Sequence, residues 1–189
     1  MTAKRQRILE VALELATTTG IDSLSTIEVA KQAEVAKATL FHHFKSKQAL
    51  INSIYESIKT DYDFFTGHEP LDINARLVLL WRESLSWAVV NPKKVAFLSM
   101  YYTSRTVPRE ARQRAKKQSL DGLYHLIQEA QYHNGLQNES TEVLVESVYS
   151  MFMSTALNLV YEEHQQQILF IDGSTLVFKR LLNCPATCP

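Results

Sequence analysis

Residues 25–47, STIEVAKQAEVAKATLFHHFKSK, decide the fold because they predict two short helices joined by a tight turn. Two helices that cross so closely need a small residue where their backbones meet, and Ala30 is placed to provide it. The apolar residues that would fix the crossing are Val29, Ala33, Val35 and Leu40. With those positions buried, the residues of the second helix that face outward are Lys37, Ala38, Thr39, His42 and His43.

The second of these helices has the dimensions of a DNA-reading element. A helix of about seven residues is roughly 10 Å long, which fits across the major groove of DNA. Its outward side chains supply an ammonium group, a hydroxyl and two imidazoles, which can hydrogen-bond to base edges or phosphates. The segment therefore predicts a helix-turn-helix that binds double-stranded DNA.

Helical periodicity also governs the rest of the chain. The first helix is predicted over 3–19, with an apolar stripe of Ile8, Val11, Ala12, Leu15 and Ala16. Gly20 follows where a left-handed residue would close that helix, and Ser25 or Thr26 would cap the next.

About nine helices and no strand are predicted in all, so the fold class is all-α. They include a single helix over 108–132 and a long apolar helix over 141–165. The triplet Asp172-Gly173-Ser174 is expected to open the last helix.

Short helices give way to longer ones near Ser46, which divides the chain into a helix-turn-helix domain at 1–46 and a helical domain at 47–189. Residues 1–60 carry eight Lys/Arg and six Asp/Glu in a chain of formal net charge +0. On charge alone a solvated surface of mixed sign explains this small excess, so it only supports the prediction of a DNA-binding surface.

The composition, 46% hydrophobic and 21% charged, is that of a globular protein. Neither a signal-peptide pattern nor an apolar run of about 18 residues occurs, so a cytoplasmic protein without membrane contact is expected. Cys184 and Cys188 are expected as reduced thiols in a frayed tail. No metal-ligand cluster and no catalytic motif is found, so neither an enzyme nor a cofactor is predicted.

Residues 7–51, RILEVALELATTTGIDSLSTIEVAKQAEVAKATLFHHFKSKQALI, resemble the DNA-binding domain of the tetracycline-repressor (TetR) family. The resemblance is carried by Val29-Ala30, Val35, Thr39-Leu40, Phe44 and Lys47, with the spacing kept throughout. The chain departs from the family where Glu34 replaces a turn Gly, Ala36 replaces a Ser and Phe41 replaces a Tyr. We therefore expect a left-handed conformation at Glu34, a weakened helix cap at Ala36 and the loss of a phosphate-binding hydroxyl at Phe41.

The resemblance implies a set of DNA contacts. Base-edge or phosphate contacts are implied for Lys37 and His43, and a backbone contact for the Thr39 hydroxyl. The full implied set is Thr26, Lys37, Ala38, Thr39, Phe41, His42, His43 and Lys47. Lys4 and Arg5 could reach the adjacent minor groove from a flexible end.

The downstream helices are expected to hold a ligand pocket, as the resemblance implies. Aromatic and sulfur side chains that could surround a flat or apolar ligand are Tyr62, Trp81, Phe97, Tyr101, Tyr124 and Met151. For each of them ordinary core packing is the simpler interpretation. A basic cluster around 105–117 is either a solvated face or a route for an anionic effector.

The helix over 141–165 is apolar nearly all round, and the last helix continues the surplus, so both predict a partner surface. The resemblance implies a four-helix homodimer interface about a two-fold axis. The interface residues predicted are Tyr149, Phe152, Ala156, Leu159, Leu176 and Phe178. Burial of all these side chains within one subunit is the alternative.

Taken together, these features predict a sequence-specific transcriptional repressor with an N-terminal DNA-binding domain and a C-terminal effector-binding and dimerisation domain. Its partners would be a near-palindromic operator, a second copy of the chain and a small-molecule effector that releases the DNA. Two alternatives stay open. One is an activator of the same fold, and the other is a helical small-molecule binder without DNA function.

Overall fold

The computed structural model describes residues 3–61, 65–68, 71–160 and 162–185. Within these ranges the chain forms ten helices and no strand, which confirms the all-α prediction. The helices are α1 (Ala3–Thr19), α2 (Thr26–Gln32), α3 (Lys37–His43), α4 (Lys47–Asp61), α5 (Ile73–Val90), α6 (Pro92–Thr103), α7 (Arg109–Ser119), α8 (Asp121–Asn134), α9 (Thr141–Leu159) and α10 (His164–Leu181). None of these described helices is long and apolar enough to cross a membrane.

The chain divides into two compact units. The first contains residues 1–62 and 93–116, and therefore α1 to α4, α6 and most of α7. The second contains residues 63–92 and 117–189, and therefore α5, α8, α9 and α10. The boundary predicted at residue 46, where short helices give way to longer ones, stays a prediction.

Local sequence sets the ends of the first helices. Gly20 has a φ of 87° and closes α1, as expected for a left-handed residue at that position. Ser25 caps α2, because its Oγ accepts a hydrogen bond from the backbone N–H of Glu28 at 3.4 Å. The predicted stripe of α1 faces inward, with Leu15 half-buried and the other four residues buried. This stripe lets α1 pack against α2, α3 and α4.

The second unit is built around an aromatic core. Trp81 of α5 stacks on Phe178 of α10 with ring centroids 4.5 Å apart. Phe152 of α9 meets Trp81 edge-on at 6.4 Å. These contacts join α5, α9 and α10, and α8 packs against both α5 and α9. The N-cap of α5 is Asp72, whose Oδ1 accepts a hydrogen bond from the backbone N–H of Asn74 at 3.0 Å.

The predicted single helix over 108–132 is wrong, because Leu120 separates α7 from α8. Leu120 is buried and has φ −99° and ψ 6°, in the region between helix and strand. The break contains neither Gly nor Pro, so the pattern of apolar residues continues across it without a signal.

The predicted limits of the last two helices are also wrong. α9 ends before residue 165, and α10 begins before the triplet 172–174, which lies inside it. The hydroxyls of Ser174 and Thr175 both donate to the carbonyl oxygen of Ile171, at 2.9 and 2.7 Å. Hydrogen bonds of this kind satisfy hydroxyl groups within a helix, so polar residues that suggested a turn fit a continuous helix.

The chain after α10 turns back onto the second unit. The Asn134 side-chain amide donates to the carbonyl oxygen of Leu182 at 2.8 Å, and the backbone N–H of Cys184 donates to the carbonyl oxygen of Lys179 at 2.8 Å. Cys184 is half-buried rather than frayed. Cys188 lies outside the described residues.

Candidate nucleic-acid interface

The turn between α2 and α3 is closed by a backbone hydrogen bond. The N–H of Val35 donates to the carbonyl oxygen of Ala30 at 3.0 Å. Ala30 and Leu40 are buried there, while Val35 is half-buried. Glu34 has a φ of 55°, which confirms the left-handed conformation expected at this position. That conformation costs a residue other than Gly about 1 kcal/mol, and the buried contacts on both sides hold it in place.

The six predicted contact residues on α3 differ in exposure. Leu40 is buried and Phe44 is 2% exposed, so this side of the segment is fixed in the core of the first unit. The exposed residues of α3 in the predicted set are Lys37, Ala38 and His42. The half-buried residues of the set are Thr39, Phe41 and His43. The structure therefore gathers all six on a helix whose inner side is anchored.

The side chains on α3 can offer several kinds of hydrogen bond. Lys37 Nζ lies 6.0 Å from the centroid of the Phe41 ring, and the rings of His42 and His43 meet edge-on at 5.4 Å. Ala36 caps α3 without a side-chain hydrogen bond, which confirms the weakened cap. Ammonium, imidazole and hydroxyl groups on a single short helix can reach both base edges and phosphates.

Two predicted contacts lie outside α3. Thr26 is the first residue of α2 and is half-buried. Lys47 is the first residue of α4, and its Nζ donates to the carbonyl oxygen of Asp22 at 2.6 Å. This bond holds the ammonium group beside the α1–α2 turn and leaves two of its three N–H donors for a phosphate.

Asp22 joins the α1–α2 turn to the loop between α6 and α7. Its carboxylate accepts hydrogen bonds from Ser104 Oγ at 2.6 Å and from the backbone N–H groups of Arg105 and Thr106 at 3.1 Å each. These bonds, the one from Ser104 foremost, hold the pKa of the Asp22 carboxyl well below its usual range. The carboxylate is therefore charged at neutral pH. We call these three hydrogen bonds the Asp22 anchor.

Residues 8–54 match the model of a family described as bacterial regulatory proteins, tetR family. The HTH-type transcriptional regulator AcrR of Shigella flexneri is 44% identical over 87 residues, which are 42% of this chain and 40% of that protein. The chain thus spans less than half the length of this curated relative. A crystal structure of a protein from Shewanella sp. PV-4, assigned to the tetR family of transcription regulators, is 30% identical, with a TM-score of 0.82 over 94% of this chain and 96% of that one. The chain belongs to the TetR family.

The likeness of this TetR-family chain to more distant structures concerns the fold. The crystal structure of AibR in complex with isovaleryl coenzyme A and operator DNA is 18% identical, with a TM-score of 0.71 over 95% of this chain and 98% of that one. Membership in a family of regulatory proteins agrees with the expectation that the chain is not an enzyme.

Two cationic features of the TetR helix-turn-helix differ from what the sequence suggested. Lys4 and Arg5 lie in the first turn of α1 instead of a flexible end. The Arg5 guanidinium stands over the Phe44 ring, with Cζ 5.2 Å from the ring centroid. Lys45, which was not singled out, is exposed in the α3–α4 turn. The sequence signal for including Lys45 in the DNA-binding surface was its position two residues before Lys47.

The predicted pocket residues of this TetR-family protein are divided between the two units. Phe97 and Tyr101 are buried in the first unit, and Trp81 is buried in the aromatic core of the second. The half-buried residues, both in the second unit, are Tyr124 and Met151. Tyr62 lies outside the described residues. A ligand pocket formed by this set stays a prediction.

The predicted dimer residues also separate into two groups. Those buried within the second unit are Phe152, Ala156, Leu159 and Phe178. They face the core of their own subunit. The sequence carried no signal for this, because in a helix that is apolar on every side the pattern does not indicate which face turns outward. Leu176 is 57% exposed on α10, and Tyr149 is half-buried on α9.

A different set of residues forms the exposed apolar surface of α10. Its members are Ile168, Leu169, Phe170, Leu176 and Val177, exposed by 41% to 65%. Residues 169 and 176, like 170 and 177, are seven apart and therefore lie on one side of the helix. We call this set the α10 apolar face.

Proposed function

We propose that this TetR-family protein is a cytoplasmic, sequence-specific DNA-binding repressor, and that a small-molecule effector releases its homodimer from a near-palindromic operator. The outward surface of α3 carries the proposal. It places Lys37, Ala38 and His42 in solvent on a helix whose opposite side is buried at Leu40. A short anchored helix with polar side chains outward is the element that reads the major groove in helix-turn-helix proteins.

The homodimer is supported by the α10 apolar face. An exposed apolar surface of this kind on a helical subunit is typical of a contact with another protein. If a second copy covers it about a two-fold axis, the dimer carries two α3 helices, and the two recognition helices of helix-turn-helix dimers bind half-sites about 34–36 Å apart. A near-palindromic operator follows from that symmetry.

Effector control is supported by fold likeness alone. AibR was crystallised in complex with isovaleryl coenzyme A and operator DNA, so a protein of this fold binds both kinds of ligand. Thermodynamic linkage then gives a strict requirement. If an effector weakens operator binding by some factor, the operator must weaken effector binding by the same factor.

The α3 surface also suits an activator, and reporter output after deletion of the protein distinguishes the two. Expression of the regulated gene rises for a repressor and falls for an activator. A small-molecule binder without DNA function would leave reporter output unchanged.

The direct test is selection from a library of genomic fragments at several salt concentrations. Wild type is compared with Lys37→Ala, Thr39→Ala and the control Arg180→Ala, which removes an exposed cation near the end of α10. We expect wild type to select a near-palindromic sequence. Loss of a base contact should weaken binding by about 1–3 kcal/mol, and loss of a phosphate contact should reduce the salt slope by about one. Equally weak binding to all fragments, indifferent to both α3 substitutions, would contradict the proposal.

A further inference from the structure

A cleft in the first unit is lined by residues that suit a negatively charged ligand. The cleft has a volume of about 260 Å³ and is lined by Tyr102, Arg109, Arg112, Gln113 and Lys116. The four residues from α7 follow one another at intervals of three, one and three, so they form a single stripe of that helix. The cleft is smaller than the roughly 300–1,000 Å³ of pockets that enclose a whole drug-sized ligand. It therefore fits one charged group of a ligand.

The charged residues described in the lining of this cleft are all positive. Three of its described lining residues are cations, and none is acidic. Glu110 is the one acidic residue of α7, whose sequence is REARQRAKKQS, and it does not line the cleft. Cations three and four residues apart on a helix repel one another, and a bound anion removes that repulsion.

Arg112 is held in position by the protein itself. Its Nη1 donates to the carbonyl oxygen of Tyr102 at 2.7 Å. Its Nε is buried and has no hydrogen-bond partner among the described residues. A guanidinium that is already oriented loses little conformational freedom when it pairs with a phosphate, and its planar donors match phosphate oxygens.

Two tyrosines, of which Tyr102 lines the cleft, connect α7 to α4 and α6. Tyr55 of α4 donates from its hydroxyl to the carbonyl oxygen of Ala115 at 2.9 Å. The hydroxyls of Tyr55 and Tyr102 are 3.0 Å apart. Because Tyr55 has one hydroxyl proton and uses it for Ala115, Tyr102 must be the donor to Tyr55. The two bonds link α4, α6 and α7 beside the cleft and restrain Tyr102, which is the lining residue from α6.

From these contacts we infer that the α6–α7 cleft binds the phosphate group of a small-molecule ligand, with Arg109, Arg112 and Lys116 as its cationic partners. The Asp22 anchor ties the loop that precedes α7 to the α1–α2 turn, so occupancy of the cleft and DNA binding are coupled. The phosphate site stands on the cleft alone, whereas the coupling rests on the proposed function.

Isothermal titration calorimetry with inorganic pyrophosphate at constant ionic strength tests the site. The cleft variant is Arg109→Gln with Lys116→Gln. The matched control is Arg114→Gln with Lys117→Gln, which removes the same charge from exposed positions of α7 outside the cleft. We expect wild type to bind one pyrophosphate per subunit, the cleft variant to bind at least about tenfold more weakly, and the control to change less than about threefold.

Three results would overturn the inference. The first is that wild type binds no pyrophosphate. The second is an equal loss of affinity in both variants, which indicates diffuse electrostatic attraction. The third is that citrate binds as tightly as pyrophosphate, which indicates no preference for phosphate. Circular dichroism checks that each variant is folded. If the double cleft variant does not fold, the single variant Lys116→Gln replaces it in the titration.

Operator binding with and without pyrophosphate separates the two proposals. We expect pyrophosphate to weaken operator binding by the wild type and to leave operator binding by the cleft variant unchanged. Failure of ligand-free wild type to bind any operator contradicts the proposed function. Intact operator binding with no pyrophosphate bound contradicts only the inference about the cleft.

Discussion

Replacing Leu169 with Asp is expected to dissociate the proposed homodimer without unfolding the subunit. Leu169 belongs to the α10 apolar face and is 65% exposed. An aspartate at this exposed position of a helix removes no contact from the core of its own subunit. In the dimer the same carboxylate would be covered by the partner and lose its hydration.

The size of the effect follows from the exposure of the side chain. Burial of a whole leucine side chain contributes about 1.5–3 kcal/mol, so covering the exposed two thirds contributes about 1–2 kcal/mol. A two-fold interface contains the residue twice, which gives about 2–4 kcal/mol per dimer. The dimer dissociation constant should therefore rise by about 25- to 700-fold, before any cost of burying the charge.

Sedimentation velocity over a series of protein concentrations measures this constant. Val90→Asp is the matched control, because Val90 is 75% exposed at the end of α5 and does not belong to the α10 apolar face. We expect the control to leave the dimer unchanged, and both variants to keep the circular dichroism of the folded helices. An unchanged constant for Leu169→Asp, or an equal rise for Val90→Asp, would refute the assignment of this face to the dimer.

Three further substitutions test particular features of the subunit. Asp22→Asn should destabilise the fold by about 1 kcal/mol near neutral pH, since the anchor carboxylate is exposed and its hydrogen bonds are weakened by solvent. Because its folded pKa lies below the ordinary value of 3.8, that stabilisation is complete above this value and is lost as pH falls through the folded pKa. In urea unfolding, the difference in free energy of unfolding between wild type and Asp22→Asn should be constant above about pH 5 and should become smaller on acidification. A difference that grows on acidification would contradict the Asp22 anchor. Gly173→Ala should stabilise the subunit by about 1 kcal/mol through helix propensity, since an added Cβ meets no atom within 4 Å. Measured in the monomeric Leu169→Asp background, a loss of stability would contradict that expectation. Glu34→Gly should raise the free energy of unfolding by at most about 1 kcal/mol, because it relieves the left-handed strain. The larger unfolded-state entropy of glycine offsets part of this gain. A decrease in the free energy of unfolding would mean that the Glu34 side chain makes compensating contacts.

The helix-turn-helix was predictable from sequence because its determinants are local. A left-handed Gly20 ends one helix, and a hydroxyl cap at Ser25 begins the next. The small residue at Ala30 lies where the two short helices meet. Each of these signals acts within a few residues of its effect, so the limits of α1, the start of α2 and the buried side of α3 followed from the chain alone.

Features that depend on residues distant in sequence were not predictable. The Asp22 anchor joins a turn near the start of the chain to Ser104, and neither residue carries a local signal for the other. The choice of outward face on α9 and α10 depends on the aromatic core around Trp81, which no periodicity reveals when a helix is apolar on all sides. The break at Leu120 was missed for the related reason that an ordinary apolar residue forms it.

The α10 apolar face links the stability of this protein to the amount of it that is present. Under the proposed dimer, association draws folded subunits out of the unfolding equilibrium, so the melting temperature rises with protein concentration. The first copies to be synthesised keep this apolar surface in water until they meet a second copy. During that interval they are the molecules most exposed to proteolysis and aggregation, and a low expression level therefore lowers the fraction of chains that survive as well as their number.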